Sequence, residues 1–185
     1  MAIQFKELKK YLSRVTRLSI CFRDGHYDNY LMVSDIPEGR YDELYVYGVG
    51  MIDVEFPLDV YVPVVELQKR TWSENGWFLG CALEIVLQEE PRELERNNMS
   101  ELTFGDLRGY LQVGRNFSIT KKEEWAEEDF VYRNEIPEHY NDMYVYGIGI
   151  DDNFDDTLNI SPEIYADSYY FKKLKIVVSE RVRND

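Results

Sequence analysis

The sequence predicts an α+β protein made of two tandem, pseudo-symmetric units, each a helix followed by an antiparallel sheet of three or four strands (αβββ or αββββ). Two observations lead to this prediction. Residues 5–50 align with residues 104–149 with fifteen identities, and similarity at a fixed offset is the signature of a repeated structural unit. Within each copy, apolar residues recur first at helical spacing and then at every second position, as in a helix followed by strands.

The repeat is anchored by blocks that keep one offset. Residues 45–50 read YVYGVG and residues 144–149 read YVYGIG, an offset of 99. The Ile-Pro-Glu step at 36–38 recurs at 136–138, and removal of Gly39 restores the offset of 99. We therefore divide the chain into a first unit at 1–90, a charged linker at 91–102 and a second, strongly acidic unit at 103–185.

Each unit is expected to begin with a helix. Phe5, Leu8 and Leu12 repeat at a spacing of three or four residues, which places them on one helical face. In the second unit, Thr103 followed by Asp106 resembles a capping box, in which each side chain binds a backbone N–H left free at the start of a helix. The prediction is one helix through the FxxLxxYL block of each copy.

Strands are expected to follow each helix, beginning with the alternating segment Leu18–Phe22. The third strand of each unit is apolar on both faces, so we expect it in the interior of the sheet. Its two glycines predict a β-bulge or a close approach by the helix. The predicted second, third and fourth strands are Tyr30–Ser34, Leu44–Met51 and Ala82–Gln88 in the first unit, and Phe130–Arg133, Met143–Ile150 and Leu174–Ser179 in the second.

Composition narrows the class of protein. The chain carries 21 Lys and Arg against 35 Asp and Glu, a formal charge of −14, and 44% of its residues are hydrophobic. No apolar run approaches the ~20 residues of a membrane span, so we expect a cytoplasmic protein without membrane contact. Two separated cysteines and two histidines favour neither a disulfide framework nor a zinc site, and no cofactor is expected. The acidity disfavours direct binding to nucleic acid and favours a basic partner.

The acid is concentrated in one segment. Residues 123–167 contain fourteen Asp or Glu and one basic residue, Arg133, while the rest of the chain is nearly neutral. The first copy has no comparable excess, so the duplication did not create it. The candidate partner-binding residues are Glu123, Glu124, Glu127, Glu128, Asp129, Asp151, Asp152, Asp155 and Asp156.

Three interpretations of the acidic segment stay open. It is either a hydrated surface that keeps the protein soluble, or a set of carboxylates that imitates nucleic-acid phosphates and binds a basic cleft. The third interpretation is a weak metal site, because Asp151, Asn153 and Asp155 match the start of a calcium loop. Asp156 replaces the glycine that such a loop requires, so a dedicated calcium sensor is not expected. No nucleophile elbow, phosphate loop or zinc-protease motif is present, and we predict a non-enzymatic protein.

The repeated pattern of helix block, Ser-Ile, Ile-Pro-Glu and Tyr-Val-Tyr-Gly-x-Gly covers most of the chain and resembles a group of small acidic proteins of gut Firmicutes and their mobile elements. Such elements carry anti-restriction and anti-CRISPR inhibitors, several of which mimic nucleic acid. The resemblance implies an inhibitor that blocks the basic cleft of a defence protein such as a CRISPR nuclease. The alternative is a cytoplasmic interaction or scaffold module, with homodimerisation through an exposed edge strand.

Overall fold

The computed structural model describes residues 2–14, 16–57, 77–92, 101–112, 116–151 and 173–183. Within these ranges each unit contributes one short α-helix and four strands, and no helix in them is long and apolar enough to cross a membrane. The first unit contains α1 (Phe5–Leu8), β1 (Leu18–Phe22), β2 (Tyr27–Tyr30), β3 (Tyr45–Pro57) and β4 (Trp77–Gln88); the second contains α2 (Phe104–Arg108), β5 (Phe117–Lys121), β6 (Ala126–Phe130), β7 (Tyr144–Asp151) and β8 (Lys173–Ser179).

The strands form two similar four-stranded sheets, with orders β2-β1-β4-β3 and β6-β5-β8-β7. The duplicated sheet architecture is confirmed, but the sheets are mixed rather than antiparallel, because β1 runs parallel to β4 and β5 runs parallel to β8. After the β1–β2 pair the chain crosses the sheet to reach the β3–β4 pair, and β4 lies beside β1. The second unit repeats this arrangement, with β8 beside β5. A parallel pair requires such a crossover connection.

The prediction that the third strand lies inside the sheet is wrong, since β3 and β7 are the outermost strands of their sheets. Their outer edges are nevertheless covered by the opposite unit. The Val49 N–H donates to the Tyr110 carbonyl at 2.8 Å, and the Gln112 N–H donates to the Val49 carbonyl at 2.9 Å. In the reverse direction, the Ser13 N–H donates to the Ile148 carbonyl at 2.8 Å. Because the opposite unit covers these edge strands, their sequences are apolar on both faces, as is typical of interior strands.

The same cross-pairing explains why the helices are shorter than predicted. The α1 helix ends at Leu8, a 3₁₀ turn follows at Lys9–Tyr11, and the backbone is extended at Leu12 with ψ 133°. At that point the chain leaves the helical path to bind the edge of β7. The capping box of the second helix is confirmed, with the Thr103 hydroxyl accepting from the Asp106 N–H and the Asp106 carboxylate accepting from the Thr103 N–H.

The second strand of each unit lies earlier than predicted. It occupies Tyr27–Tyr30 and Ala126–Phe130, and 3₁₀ turns follow at Val33–Asp35 and Arg133–Glu135. A carboxylate caps the start of each turn. Glu135 accepts from the Tyr132 N–H at 3.1 Å, and Asp35 accepts from the Met32 N–H in the first unit. This local capping competes with strand pairing.

The interface between the units has approximate two-fold symmetry. The Tyr110 hydroxyl accepts from the Ile3 N–H at 3.2 Å, and the Tyr11 hydroxyl accepts from the Leu102 N–H at 3.3 Å; the pairs Tyr11 and Tyr110, and Ile3 and Leu102, both obey the offset of 99. Buried apolar side chains from both units belong to one continuous cluster. The two sheets therefore share a core.

Two arginines reinforce this interface. Arg92, at the start of the linker, has its guanidinium carbon 5.1 Å from the ring centroid of Tyr47 in the first unit and 5.7 Å from that of Tyr110 in the second. Arg183 repeats the arrangement, at 5.3 Å from Tyr146 and 6.0 Å from Tyr11. The sequence contains a signal for this arrangement, because Arg92 and Arg183 each stand four residues after the last strand of a unit. Such cation–π contacts stabilise the packing of the units.

The glycines of β7 offer a matched pair of substitutions. A β-bulge at Val145/Gly147 is confirmed, and a Cβ at Gly149 would lie 2.9 Å from the Thr16 hydroxyl and 3.2 Å from Ser13 Cβ. We expect Gly149→Ala to lower the free energy of unfolding by about 1–3 kcal/mol through this overlap. Gly147→Ala, whose Cβ meets nothing closer than 3.8 Å, should cost far less. Urea denaturation of both variants checks the difference, and equal losses would contradict it.

Candidate functional site

The acidic hairpin, which we define as residues 121–130, joins β5 to β6 at the outer edge of the second sheet. Its turn is one residue longer than that of the first unit, since β1 and β5 align at an offset of 99 while β2 and β6 align at 100. All residues from Glu123 to Asp129 are exposed. The hairpin therefore presents five of the nine predicted acidic residues on one strand and its turn.

Trp125 occupies an unusual position in this turn. Its φ is +51°, a left-handed value, and the aligned residue of the first unit is Gly25, with φ +91°. A bulky residue in this region is a backbone outlier. The Trp125 side chain is also 72% exposed, so burial does not compensate for the strain. From the sequence, Trp125 is one of several aromatic residues interspersed with the acids that could anchor a partner, and it is not among the nine candidate residues, although its alignment with a turn glycine was a readable signal.

Two of the five acidic residues are neutralised within the fold. Lys175 Nζ lies 3.0 Å from Glu127 Oε2, and Lys173 Nζ lies 2.5 Å from Asp129 Oδ2. The lysines belong to β8, which is separated from β6 by β5. Their side chains reach across β5 past Ser118, which is small and fully buried. Burial alone would raise the pKa of Glu127, but the hydrogen bond from Lys175 leaves it below its ordinary value.

Glu123 is held by the end of β8 rather than by a basic side chain. Its carboxylate accepts from the Ser179 hydroxyl at 2.5 Å and from the Glu180 N–H at 3.2 Å. The hydrogen bond from Ser179 lowers the pKa of Glu123, because it stabilises the ionised form. Glu123 therefore keeps its charge but has a fixed position at the base of the turn.

Glu124 and Glu128, like Glu123, have no salt bridge to any residue the structure describes. Both carboxylates lie near Tyr140, which is fully buried at the core face of the sheet. Burial and then these two carboxylates raise the pKa of Tyr140 to about 12. The Tyr140 hydroxyl interacts with the Glu128 carboxylate, but at a separation longer than a formed hydrogen bond, since none of the described residues gives it a partner at hydrogen-bond distance.

The first unit lacks the ion pairs of the second. The positions of Glu127 and Asp129 are taken by Tyr27 and Asn29, and the position of Lys175 is taken by Glu84. Glu84 instead accepts a hydrogen bond from Gln112 at 2.5 Å. At the aligned positions of the first unit, therefore, the acidic residue and its lysine are both replaced.

Of the four remaining predicted site residues, only Asp151 belongs to the part of the chain that the structure describes. The backbone of Asp151 ends β7 and pairs in register with Lys173. Asp152, Asp155 and Asp156, and with them most of the calcium-loop interpretation, lie outside the described residues. Within the described ranges no group of three or more His, Cys, Asp or Glu side chains could hold a metal ion.

The main correction to the predicted site concerns its charge. By sequence, 123–167 is one anionic window, but the fold brings lysines from outside the window next to it. Lys173 and Lys175 bind Asp129 and Glu127 on one face of the sheet, whereas Lys121 lies on the opposite face, 5.6 Å from the Tyr140 ring. Lys122 lies over the ring of Tyr146 at 3.3 Å. The acidic hairpin is thus a mixed surface with an anionic tip rather than a uniform array of carboxylates.

Comparison with known proteins gives no family assignment. No protein-family model matches the chain, and neither a curated protein nor a solved structure matches it significantly.

The raised pKa of Tyr140 leads to a prediction on alkaline stability. The folded protein keeps the phenolic proton up to about pH 12, whereas an unfolded chain loses it near pH 10, so stability should fall by about 2–3 kcal/mol between these values. Tyr140→Phe should remove this loss and be about as stable at pH 7, because no described residue lies within hydrogen-bond distance of the hydroxyl. Urea denaturation between pH 7 and pH 12 is the measurement. Parallel curves for the two proteins would contradict the prediction.

Tyr41→Phe is the matched control. Tyr41 holds the aligned position in the first unit, where its hydroxyl donates to Asp28 at 2.5 Å and lies 2.6 Å from the Tyr30 hydroxyl. Removing this hydroxyl should cost about 1–2 kcal/mol already at pH 7.

Proposed function

We propose that this chain is a non-enzymatic binding protein that docks the tip of its acidic hairpin on a basic surface of a partner protein. The observation that carries the proposal is Trp125, a strained and exposed tryptophan beside two carboxylates that have no salt bridge within the described part of the chain. Backbone strain persists where the surrounding fold imposes it, and it clusters at functional sites. Tryptophan is also the side chain most enriched at binding hot spots.

The chemistry of the tip indicates the kind of partner. Glu124 and Glu128 attract a Lys- or Arg-rich surface and speed association, while Trp125 adds the desolvated contact that charge does not supply. Nucleic-acid-binding proteins present such basic surfaces. In its most specific form the proposal is an inhibitor that covers the nucleic-acid cleft of a defence protein such as a CRISPR nuclease.

A second candidate function has its own support. The pairs Glu127–Lys175 and Asp129–Lys173 place charged side chains along an edge strand, and this is how many proteins prevent edge-to-edge aggregation. On that interpretation the acidic hairpin protects the sheet and keeps an interaction or scaffold module soluble.

A charge-reversal experiment separates the two functions. The chain is titrated against a panel of purified CRISPR nucleases and restriction enzymes bound to labelled DNA, and displacement of the DNA is measured at low and physiological salt. We expect displacement by the parent protein, with an affinity that falls steeply as salt rises. The double variant Glu124→Lys/Glu128→Lys should bind at least about tenfold more weakly, because it reverses the unpaired charges.

The matched control is Glu138→Lys/Asp142→Lys, which reverses two exposed acids of the same unit outside the hairpin. This control should change the affinity by less than about twofold. Equal losses for the two double variants, or no displacement from any member of the panel, would count against the proposed function. Circular dichroism verifies that each variant is folded.

A further inference from the structure

We propose that the outer edge of β6 accepts an extended basic segment of the partner as a fifth strand of the second sheet. This inference rests on the proposed function and specifies how the docking occurs. Within the described part of the chain, β6 is an outermost strand and pairs on one side only, with β5. The outer edges of β3 and β7, in contrast, are covered by the opposite unit.

The hydrogen bonds of β5 show which groups of β6 point outward. The Asn116 carbonyl accepts from the Leu174 N–H, and the Lys122 N–H donates to the Val178 carbonyl, so the even-numbered residues of β5 bond to β8. Because backbone groups alternate along a strand, the odd-numbered residues Phe117, Ile119 and Lys121 bond to β6. Their cross-strand partners are Phe130, Glu128 and Ala126. The N–H and C=O groups of Glu127 and Asp129 therefore face away from the sheet.

The exposed edge has defined ends. Beyond Asp129, the N–H groups of Val131 and Tyr132 already donate to the Glu135 carboxylate at 3.1 Å, which closes the edge at that end. At the other end stands Trp125. An added strand would thus pair along Glu127 to Asp129, with the indole and the exposed side chains of Val131 and Tyr132 flanking it.

Charge determines the occupant. Glu127 and Asp129 point to one face, where lysines already neutralise them, whereas Glu128 points to the other face without a basic partner among the described residues. A strand with a basic residue at every second position places its charges beside Glu128, and main-chain hydrogen bonds supply the rest of the affinity. A second copy fits poorly, because antiparallel pairing of β6 with itself would set acidic residues opposite one another.

The corresponding edge in the first unit serves as an internal comparison. There β2 carries a single acid, Asp28, and this carboxylate is already bound by Arg40 at 3.1 Å and by Tyr41. A basic strand would gain no unpaired carboxylate at that edge. We therefore assign strand addition to β6 alone.

The experiment uses the full chain and a short synthetic peptide that alternates lysine and threonine, followed by ¹⁵N-resolved NMR. We expect the amide signals of Glu127 and Asp129 to shift and their hydrogen exchange to slow when the peptide binds. A peptide of the same sequence, N-methylated at alternate positions so that it cannot form a ladder, should bind at least about tenfold more weakly.

A pair of protein variants tests the backbone directly. Glu127→Pro removes an outward N–H without breaking the ladder to β5, and it should reduce peptide affinity about tenfold or more. Glu127→Gln also removes the charge and the Lys175 salt bridge but keeps the N–H, so it should bind within about threefold of the parent.

The outcomes separate this inference from the proposed function. Equal binding of the methylated peptide, or equal losses in the proline and glutamine variants, overturns strand addition while leaving hairpin docking intact. Signal changes at β2, or dimerisation of the chain through β6 in sedimentation experiments, overturns it as well. If charge reversal at Glu124 and Glu128 leaves displacement unchanged, the proposed function itself fails.

Discussion

Replacing Phe104 by alanine is expected to lower the free energy of unfolding of the whole chain by about 3–5 kcal/mol. Phe104 is fully buried and packs edge-to-face on Tyr140, with ring centroids 6.3 Å apart. Truncation leaves a cavity in addition to the lost transfer free energy. Since domains are stable by about 5–15 kcal/mol, a loss of this size removes a large part of the total.

The same variant tests whether the two units unfold together. Each unit covers an edge strand of the other, and across the interface the Tyr110 hydroxyl accepts from the Ile3 N–H and the Tyr11 hydroxyl from the Leu102 N–H, so we expect a single cooperative transition. Native-state hydrogen exchange should then show the same loss of protection at Ile20 in the first sheet as at Ile119 in the second. Tyr132→Ala, at an exposed position of the second unit, is the control and should change stability by less than about 0.5 kcal/mol. Unchanged protection of Ile20 would show that the units are independent.

Trp125→Gly should separate stability from binding. Glycine adopts positive φ without a steric penalty, and the first unit already uses Gly25 at the aligned position, so we expect no loss of stability and a gain of up to about 1 kcal/mol. Binding to the basic partner should weaken by about 2 kcal/mol or more, because the variant removes the anchor of the tip. Urea denaturation measures the first effect and the DNA-displacement assay measures the second.

Two controls accompany this variant. Trp125→Phe keeps an aromatic ring at the same backbone strain and should retain part of the affinity. Gly25→Ala places a side chain at φ +91° in the first unit and should destabilise the protein without affecting binding. A destabilised Trp125→Gly variant would show that the indole is structural, and unchanged binding would exclude it as an anchor.

Much of the fold was accessible from local patterns. The repeat located both units, the alternating segment located β1, and the glycine pairs of β3 and β7 predicted the bulges that the structure contains. The Thr103–Asp106 capping box was also readable, because capping depends on residues three apart. The ends of β2 and of the helices were not predictable from local patterns. A carboxylate-capped turn ends β2, and pairing with the opposite unit ends the helices.

The candidate site, like the fold, depends in part on local sequence and in part on tertiary structure. Composition and alignment alone establish a duplicated protein with one acidic unit, because charge and repetition are properties of the chain. Which carboxylates are free is decided by the folded molecule: Lys173 and Lys175 lie more than forty residues from Glu127 and Asp129, and only the parallel pairing of β5 with β8 brings them together across Ser118. Coulomb attraction acts over distances in space rather than in sequence. For that reason the sequence count overstated the charge of the acidic hairpin.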